Sequence, residues 1–464
     1  MKIYTKSTSF NADLYTPVGM YLSLRDHYRK PCLLESNDYH DRTDSSSVIG
    51  LDPIVELTLN GKMLKLTQHS QSIREEIIES RSAVQTIEKI INEYSFQEKT
   101  SYNGFLGRIN FEAANYLEKH TVERKKSLDL PDVHLMIYKY IIVIDHFKDE
   151  GMIIENSLYN EFDGIDHILS SLDQHNVPQF PFEHIGEETS TTTPDEYKSN
   201  VLKAIDHVKR GDVFQLVLSR RFSQPFIGED FEVYRQLRRL NPSPYLYYFD
   251  FESYRLMGSS PEAQLRVKNK EVEIHPIAGT VKRTGNTHED EKNANALLHD
   301  EKENAEHMML VDLARNDLSK HCSHVKVDSL KEVQYFSHVI HLVSIIKGTL
   351  EGASPLAAFF DTFPAGTLSG APKPKALELI SKYEDEPREY YGGAVGIIGA
   401  DQSLNMAIVI RSILSKSNVL HYQAGAGIVL DSLPESELEE VDNKLNAVRK
   451  AIKATTSTKK HLVQ

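Results

Sequence analysis

Hydrophobic and polar positions alternate along the chain in many short runs, which is the pattern of half-buried β-strands. Runs with strand character lie at 61–68, 135–147, 212–222, 337–348, 404–415 and 419–430. A spacing of three to four residues predicts helices instead at 72–94, 195–210, 300–318, 371–383 and 436–453. Because the strands and helices do not alternate regularly, we predict an α+β fold with large antiparallel sheets.

One polar, threonine-rich stretch interrupts these patterns at 183–194 and is typical of a linker. It divides the chain into an N-terminal region, 1–182, and a larger region, 195–455, which contains the strongest strand patterns. The last residues, 456–464, are polar and are predicted to be frayed.

Composition and charge restrict the binding partners and the location that can be expected for this chain. The 464 residues carry a net charge of −14, which argues against nucleic acid or an anionic membrane as the main partner. Local cations must therefore attract any anionic substrate. The two cysteines, Cys32 and Cys322, lie in no metal-binding spacing, and the N-terminus lacks the apolar core of a secretory signal. With no apolar run long enough to span a bilayer, we expect a cytoplasmic protein.

Two pairs of glutamates lie three residues apart in predicted helices, so that each pair shares one helix face. The first pair is Glu303 and Glu306, and the second is Glu437 and Glu440. Carboxylate oxygens suit Mg²⁺, which keeps several waters and bridges to substrate anions. The alternative is structural, because acidic first turns are common and Glu303 is placed to form a capping box with Asp300. The spacing alone favours this second explanation.

Three stretches could bind an anion. Glycines 425 and 427 flank Ala426, where backbone N–H groups can converge, although a tight bend explains them equally well. Arg411 lies at the end of an apolar strand, on the same face as Ala407 and Val409, and needs either a ligand carboxylate or a structural ion pair. Tyr391 precedes two glycines and offers a hydroxyl, but a packed aromatic ring is the simpler interpretation.

Candidate acid and base groups lie elsewhere in the chain. Glu262 follows Pro261 near a strand turn, where burial would keep it protonated as a general acid. An exposed turn glutamate is the common alternative. His341 shares a strand face with Val343 and Ile345, so it is expected to be buried, as a core histidine or as a catalytic one.

Several sequence blocks occur together in one order: PIAGT, AEHMMLVDLARNDL, YFSHVIHLV, PAGTLSGAPK, YYGGAVG, IVIRS, QAGAGIVLDS and EEVDNK. In this combination the chain resembles the chorismate-utilising enzymes, and among them the anthranilate synthase large subunits (component I). The resemblance is dense from about residue 195 to the C-terminal helix and patchy before it. It implies antiparallel sheets that form a two-lobed sandwich with helices packed outside.

The resemblance also implies roles for the candidate residues. It makes Glu306 and Glu440 ligands of Mg²⁺, with Glu303 and Glu437 holding the waters of the ion, which reverses the preference drawn from spacing. The groups implied to grip the carboxylates of chorismate are Tyr391, Arg411 and the backbone of Gly425, Ala426 and Gly427. The residues implied to lie at the ring are Gly279, Thr280 and Thr367. Glu262 corresponds to the acid that protonates the departing C4 hydroxyl, and His341 to the histidine of the aromatising elimination.

Two positions bear on the nucleophile. Relatives that make aminodeoxychorismate usually carry a lysine at the position of Ala278, and that lysine attacks the ring. Relatives that add water carry a lysine base at the position of Gln215. An alanine leaves room for a small external nucleophile, and a glutamine can orient ammonia without deprotonating water. The resemblance therefore implies a lyase that adds ammonia to chorismate and then releases pyruvate.

The chain holds no recognisable amidotransferase segment, so we expect a separate glutamine amidotransferase subunit, in a heterodimer or heterotetramer, to supply ammonia. Five residues resemble the two halves of a tryptophan feedback site: Glu35, Ser36, Pro244, Tyr245 and Leu246. A buried contact between the two regions is the structural alternative. The competing functions are an aminodeoxychorismate synthase subunit and a non-catalytic binder of chorismate or tryptophan.

Overall fold

The computed structural model describes residues 1–36, 45–116, 128–174, 177–335 and 339–457. The strands in these ranges are β1 Lys2–Asn11, β2 Cys32–Ser36, β3 Ser46–Asn60, β4 Met63–Gln68, β5 Gln71–Ile77, β6 Ser95–Phe96, β7 Gly104–Ile109, β8 Val133–Asp145, β9 Glu150–Ser157, β10 Phe182–His184, β11 Thr189–Ser190, β12 Gln215–Gly228, β13 Tyr245–Asp250, β14 Arg255–Ser260, β15 Ala263–Lys268, β16 Glu271–Ile274, β17 Ile277–Lys282, β18 Cys322–Tyr335, β19 Val339–Leu350, β20 Gly370–Ala371, β21 Ala394–Gly399, β22 Leu404–Ile408, β23 Ser412–Lys416 and β24 Val419–Ile428. The α-helices are α1 Pro17–Leu24, α2 Ala83–Glu93, α3 Ile165–Asp173, α4 Pro194–Lys209, α5 Phe231–Leu240, α6 Thr287–His299, α7 Glu301–Leu318, α8 Pro355–Thr362, α9 Gly366–Ser369, α10 Lys373–Tyr383 and α11 Pro434–Ser457.

Two long strands, β3 and β8, pair with each other and connect two antiparallel sheets. From the start of β3, one sheet runs through β2, β13, β14, β23, β24 and β12. From the start of β8, the other runs through β7, β21, β22, β15, β16 and β19, and β17 and β18 complete it. These large antiparallel sheets with their helices confirm the predicted α+β fold.

The core lies where these strands and the helices bury their apolar faces. In β8 nearly every residue from Val133 to Ile144 is buried, so this strand is a continuous hydrophobic run rather than an alternating one. Helix α11 packs against β24 and buries residues at helical spacing, including Val441, Leu445 and Val448. This packing brings the face of α11 that carries Glu437 and Glu440 close to β24.

Two sequence predictions of single elements are wrong. Residues 72–94 were expected to form one helix, but the first part is strand β5 and only α2 is helical. In β5 the pairing with β4 prevails over a weak helical pattern, and both Ile73 and Ile77 are exposed. The run at 404–415 is also divided, since β22 ends at Ile408 and β23 starts at Ser412.

Strand pairing crosses the predicted boundary between the regions. Strand β2 of the N-terminal region pairs with β13, and β7 pairs with β21. The predicted linker, 183–194, contains part of β10 and all of β11, and both pair with β12. Helix α11 continues to Ser457, and the rest of the predicted frayed tail, 458–464, lies outside the described residues. None of the helices in the described ranges is both long and apolar enough to cross a membrane.

Candidate active site

The open edge of β24 forms one wall of the site. Strand β12 pairs with β24 throughout, with Ser219 opposite Gly425 and Val217 opposite Gly427, whereas β23 covers only Val419 to Tyr422. The Gly425 N–H donates to the hydroxyl of Tyr391. Because alternate residues of a strand direct their backbone groups to the same edge, the backbone of Gly427 also faces this side. The predicted tight bend is therefore wrong, since the glycines lie in an extended, paired strand with buried Ala426 between them.

The glycines are needed because other atoms occupy the space of a side chain. A Cβ added to Gly425 would lie 2.7 Å from the carbonyl oxygen of Leu218, and one on Gly427 would lie 2.5 Å from Nε2 of Gln215. That Nε2 donates to Oε1 of Glu306 at 3.0 Å. Oε1 of Gln215 is buried without a hydrogen-bond partner among the described residues. A buried acceptor of this kind favours a ligand that donates a hydrogen bond.

Crowding at Gly427 leads to a testable expectation. We expect Gly427→Ala to displace the amide of Gln215 and to lower kcat about tenfold, since a shift of about 1 Å in an active site has effects of this order or larger. The control is Gly348→Ala, whose added Cβ would lie 2.8 Å from Cβ of Cys322 in a remote part of the sheet. The control should lose stability and keep its kcat, and a normal kcat in Gly427→Ala would contradict the placement of Gln215.

Glu262 lies just after β14 and is buried. The hydroxyl of Thr367, on α9, donates to Oε1 of Glu262 at 3.2 Å. Burial raises the pKa of this carboxyl to about 8, although Thr367, Lys444 and Arg411 act in the opposite direction. Glu262 is therefore protonated at neutral pH and can donate a proton, and it is not an exposed turn residue.

His341 lies on β19 opposite Thr280 of β17, next to a β-bulge at Gly279. Gly279 has a φ of 74°, which favours glycine, and its carbonyl accepts a hydrogen bond from Nδ1 of His341 at 3.0 Å. Burial lowers the pKa of His341 to about 4, so the ring is neutral. With the proton on Nδ1, Nε2 carries the lone pair of a base. The neighbouring Ala278 is buried opposite Leu342.

These two groups predict the pH dependence of activity. Glu262 is needed in its protonated form, so kcat/KM is expected to fall as pH rises through about 8. His341 is needed in its neutral form, so activity is expected to fall only below about pH 4. The measurement is a pH profile at a fixed concentration of free ammonia. A rate that keeps rising above pH 8 would contradict the acid role.

Arg411 lies between β22 and β23 with a φ of 49°, rather than on the strand where the sequence pattern placed it. Its guanidinium is half-buried, and burial lowers its pKa. No ion pair of Arg411 is found within the described ranges, so the structural alternative has no support there, and Glu262 is the group whose charge favours the protonated guanidinium. A desolvated cation without a carboxylate is suited to bind an anionic ligand.

The glutamate pairs flank the same wall. On α7, Asp300 accepts the N–H of Glu303 at 2.9 Å, which is half of the predicted capping box, and Oε2 of Glu303 lies 3.4 Å from a Cβ added to Gly279. On α11, Glu437 is buried, and Glu440 forms an ion pair with Lys444 at 2.8 Å. In the described part of the chain no three acidic, His or Cys side chains form a ready cluster. All-carboxylate donors on two helices nonetheless fit Mg²⁺, which completes its shell with water and substrate oxygens.

Lys444 is a site residue that the sequence analysis missed. Its Nζ donates to the carbonyl of Gly425 at 2.9 Å, and its charge lowers the pKa values of both Glu262 and His341. The available signal was its position four residues after Glu440, on the same helix face. Lys444 therefore places a second cation, besides Arg411, beside the open edge of β24.

The residues of the predicted tryptophan site meet in a separate part of the sheet. Strand β2 pairs with β13, so that Glu35 lies opposite Leu246 and Ser36 opposite Tyr245, directly after half-buried Pro244. The carboxylate of Glu35 is buried beside two donors: Nε and Nη2 of Arg238 donate to it at 2.8 Å, and the hydroxyl of Tyr234 donates at 2.6 Å.

Comparisons with known proteins identify the family of the chain. Residues 30–450 match the family described as chorismate binding enzyme. The chain is 34% identical to anthranilate synthase component 1 of Bacillus subtilis (strain 168), over 96% of this chain and 91% of that protein. It is 36% identical to the protein of that name from Acetivibrio thermocellus, over 95% and 93% of the two chains.

Solved structures show the same fold. The crystal structure of anthranilate synthase component I from Streptococcus pneumoniae TIGR4 superposes with a TM-score of 0.76 at 31% identity, over 95% of this chain and 98% of that one. The menaquinone-specific isochorismate synthase MenF from Escherichia coli also gives a TM-score of 0.76, at 19% identity over 97% and 94% of the chains. The chain belongs to the family of chorismate-binding enzymes.

Proposed function

We propose that the chain is the large subunit of an anthranilate synthase, which converts chorismate and ammonia to anthranilate, pyruvate and water. The observation that carries the proposal is the combination of a protonated Glu262 and a neutral His341 with Arg411, a desolvated cation that forms no ion pair with any described residue. Gln215 and Ala278 occupy the two positions where related enzymes carry reactive lysines. The similarity to component I proteins over nearly the whole chain supports the same choice.

In the first step, Arg411 and the backbone N–H groups at the open edge of β24 hold the carboxylates of chorismate. Ammonia donates a hydrogen bond to Oε1 of Gln215 and attacks C2 of the ring. The double bond shifts, and the C4 hydroxyl leaves as water when Glu262 donates its proton. The ammonium group formed at C2 then gives one proton back to the Glu262 carboxylate, which regenerates the acid and leaves a neutral amine. The contact between Nε2 of Gln215 and Glu306 fixes which end of the amide faces ammonia.

In the second step, Nε2 of His341 removes the proton from C2. The bond between the ring and the enolpyruvyl oxygen breaks, the enolpyruvyl group takes up a proton as it leaves as pyruvate, and the ring becomes aromatic. The carbonyl of Gly279 keeps the proton of the resting imidazole on Nδ1. The small side chain of Ala278 leaves the ring accessible to ammonia and adds no nucleophile of its own.

A magnesium ion would be held by Glu306 and Glu440, with Glu303 and Glu437 at its waters. When bound, it supplies positive charge beside a substrate carboxylate. Glu440 is half-exposed and paired with Lys444, so it can exchange this partner for a ligand. Removal of divalent ions with a chelator should weaken chorismate binding and leave the free energy of unfolding almost unchanged.

Ammonia would come from a glutamine amidotransferase subunit, as the name component I implies for the relatives. Tryptophan would inhibit through Glu35, Ser36 and the segment around Leu246. The sheet supports a route between the sites, because Ser36 pairs with Tyr245 and Tyr245 pairs with Ser260, two residues before Glu262. A ligand that moves β2 would therefore shift the acid.

The experiment that tests the proposal uses the purified full chain with chorismate, Mg²⁺ and a high concentration of ammonium salt at pH 7.5. Blue anthranilate fluorescence should appear, and added tryptophan should suppress it. Chorismate consumption without anthranilate would count against the proposal. Glutamine should replace ammonium only when an amidotransferase subunit is added.

A further inference from the structure

Arg388 is a buried arginine outside the predicted site, in the segment between α10 and β21 and three residues before Tyr391. Its side chain is 1% exposed, and Nε and Nη2 donate to the two carboxylate oxygens of Glu384 at 2.8 and 2.6 Å. Because the guanidinium is enclosed and its charge is matched, it has no room and no free charge for the substrate. Any effect of Arg388 on the reaction must therefore act through the residues that accept its hydrogen bonds.

The remaining donors of Arg388 reach two different elements. Nη1 donates to the carbonyl of Leu368 at 2.5 Å, on α9, and Nη2 donates to the carbonyl of Val217 at 2.8 Å, on β12. The partner carboxylate extends this link, since Oε1 of Glu384 accepts both the N–H and the hydroxyl of Ser219 at 2.8 and 2.7 Å. The ion pair thus fastens α9 to β12.

Both anchored elements carry parts of the site. Leu368 directly follows Thr367, whose hydroxyl contacts Glu262. Val217 and Ser219 lie opposite Gly427 and Gly425. The guanidinium also lies 5.7 Å from the ring centre of Tyr391, whose hydroxyl accepts the N–H of Gly425. Arg388 therefore touches the supports of the acid and of the anion-binding edge at the same time.

We propose that Arg388, through its ion pair with Glu384, is a positioning residue that holds the Thr367–Glu262 acid in register with the open edge of β24. This role rests on the proposed function, because it concerns the first step of that reaction. A lysine cannot substitute, since the planar fork of arginine reaches Glu384, Leu368 and Val217 together and an ammonium group is a single point.

A double-mutant cycle tests the role, with kcat of the full chain measured at saturating chorismate and ammonia. We expect Thr367→Val to lower kcat about tenfold, which is less than the roughly 10²- to 10⁴-fold effect of a group that itself transfers a proton, because Thr367 acts only through its hydrogen bond to Glu262. Arg388→Lys is expected to lower it about thirtyfold or more, in line with the effect of misplacing an acid by about 1 Å. If Arg388 acts through Thr367, adding Thr367→Val to Arg388→Lys should cost less than twofold more.

The pH profile gives a second readout that loss of stability alone would not change. The groups that act on the charge of Glu262 are Thr367, Arg411 and Lys444. The alkaline limb is the part of the pH profile in which activity falls as Glu262 loses its proton. Since the Thr367 contact lowers the pKa of Glu262, Thr367→Val and Arg388→Lys should both move the alkaline limb to higher pH. Glu384→Gln, which keeps the shape of the side chain, should shift it in the same direction if Arg388→Lys does not fold.

The control is Arg25→Lys, which weakens a remote ion pair, at 3.1 Å, between buried Arg25 and half-buried Glu229. It should lower the melting temperature without changing kcat or the alkaline limb. Independent, multiplicative effects of Thr367→Val and Arg388→Lys, or an unmoved limb in Arg388→Lys and Glu384→Gln, would overturn the role while anthranilate formation still stands. A wild-type chain that consumes no chorismate would overturn the proposed function and this role together.

Discussion

Replacement of Glu262 by glutamine is expected to lower kcat by about 10²- to 10⁴-fold, the usual contribution of a positioned general acid. The amide has the shape of the carboxylic acid but cannot give up a proton to the leaving hydroxyl. Since Glu262 is already neutral at pH 7, the change preserves charge and should leave chorismate binding nearly unchanged. Steady-state kinetics and calorimetric titration with chorismate measure the two effects separately.

The matched control for this variant is Glu229→Gln. Burial also raises the pKa of Glu229, but this residue lies beside Arg25, remote from the site. Its kcat should stay close to that of the wild type. The alkaline limb near pH 8 should disappear in Glu262→Gln, and a limb that persists there would show that another group titrates.

Replacement of Arg411 by methionine is expected to raise the KM for chorismate about thirtyfold or more. Removing one partner of a desolvated charge pair costs about 2–5 kcal/mol of binding, and each 1.4 kcal/mol corresponds to about tenfold in affinity. The same substitution, Arg411→Met, should not lower the stability of the folded chain. Burial disfavours the charge of Arg411, and no ion pair of this residue is found among the described ones, so the melting temperature should stay constant or rise when this charge is removed.

Arg25→Met provides the contrast, because Arg25 is buried and does have a partner, Glu229. This change leaves the half-buried carboxylate of Glu229 without its cation and should lower the melting temperature without affecting KM. If Arg411→Met melted earlier than the wild type at unchanged KM, the guanidinium would have a structural role and no substrate role.

Local sequence patterns predicted much of this molecule. The helices α4, α7, α10 and α11 begin and end within a few residues of their predicted bounds, since their apolar spacing and caps are local features. The placement of His341 on a buried strand face followed from alternation alone. The roles of the glutamate pairs depended on the resemblance, because spacing by itself favoured the structural explanation.

The remaining features depend on contacts between distant parts of the chain. Pairing with β12 makes the glycines of β24 an extended edge, and nothing near Gly425 in the sequence specifies that partner. Arg388 appears in the sequence as one charge among several, and only the approach of α9 and β12 gives it a role. The exposed segment of β5 was predicted as helix from its own weak helical pattern. It is a strand because its pairing with β4 outweighs that pattern.

The stoichiometry of one reaction separates anthranilate formation from release of an amino intermediate. The wild-type chain is incubated with chorismate, Mg²⁺ and ammonium, and chorismate, anthranilate and pyruvate are quantified in the same samples over time. The account predicts one anthranilate and one pyruvate for each chorismate consumed, because Glu262 and His341 serve successive steps in one site. Chorismate loss without pyruvate, with an amino intermediate in solution, would contradict it and assign the chain to the aminodeoxychorismate type.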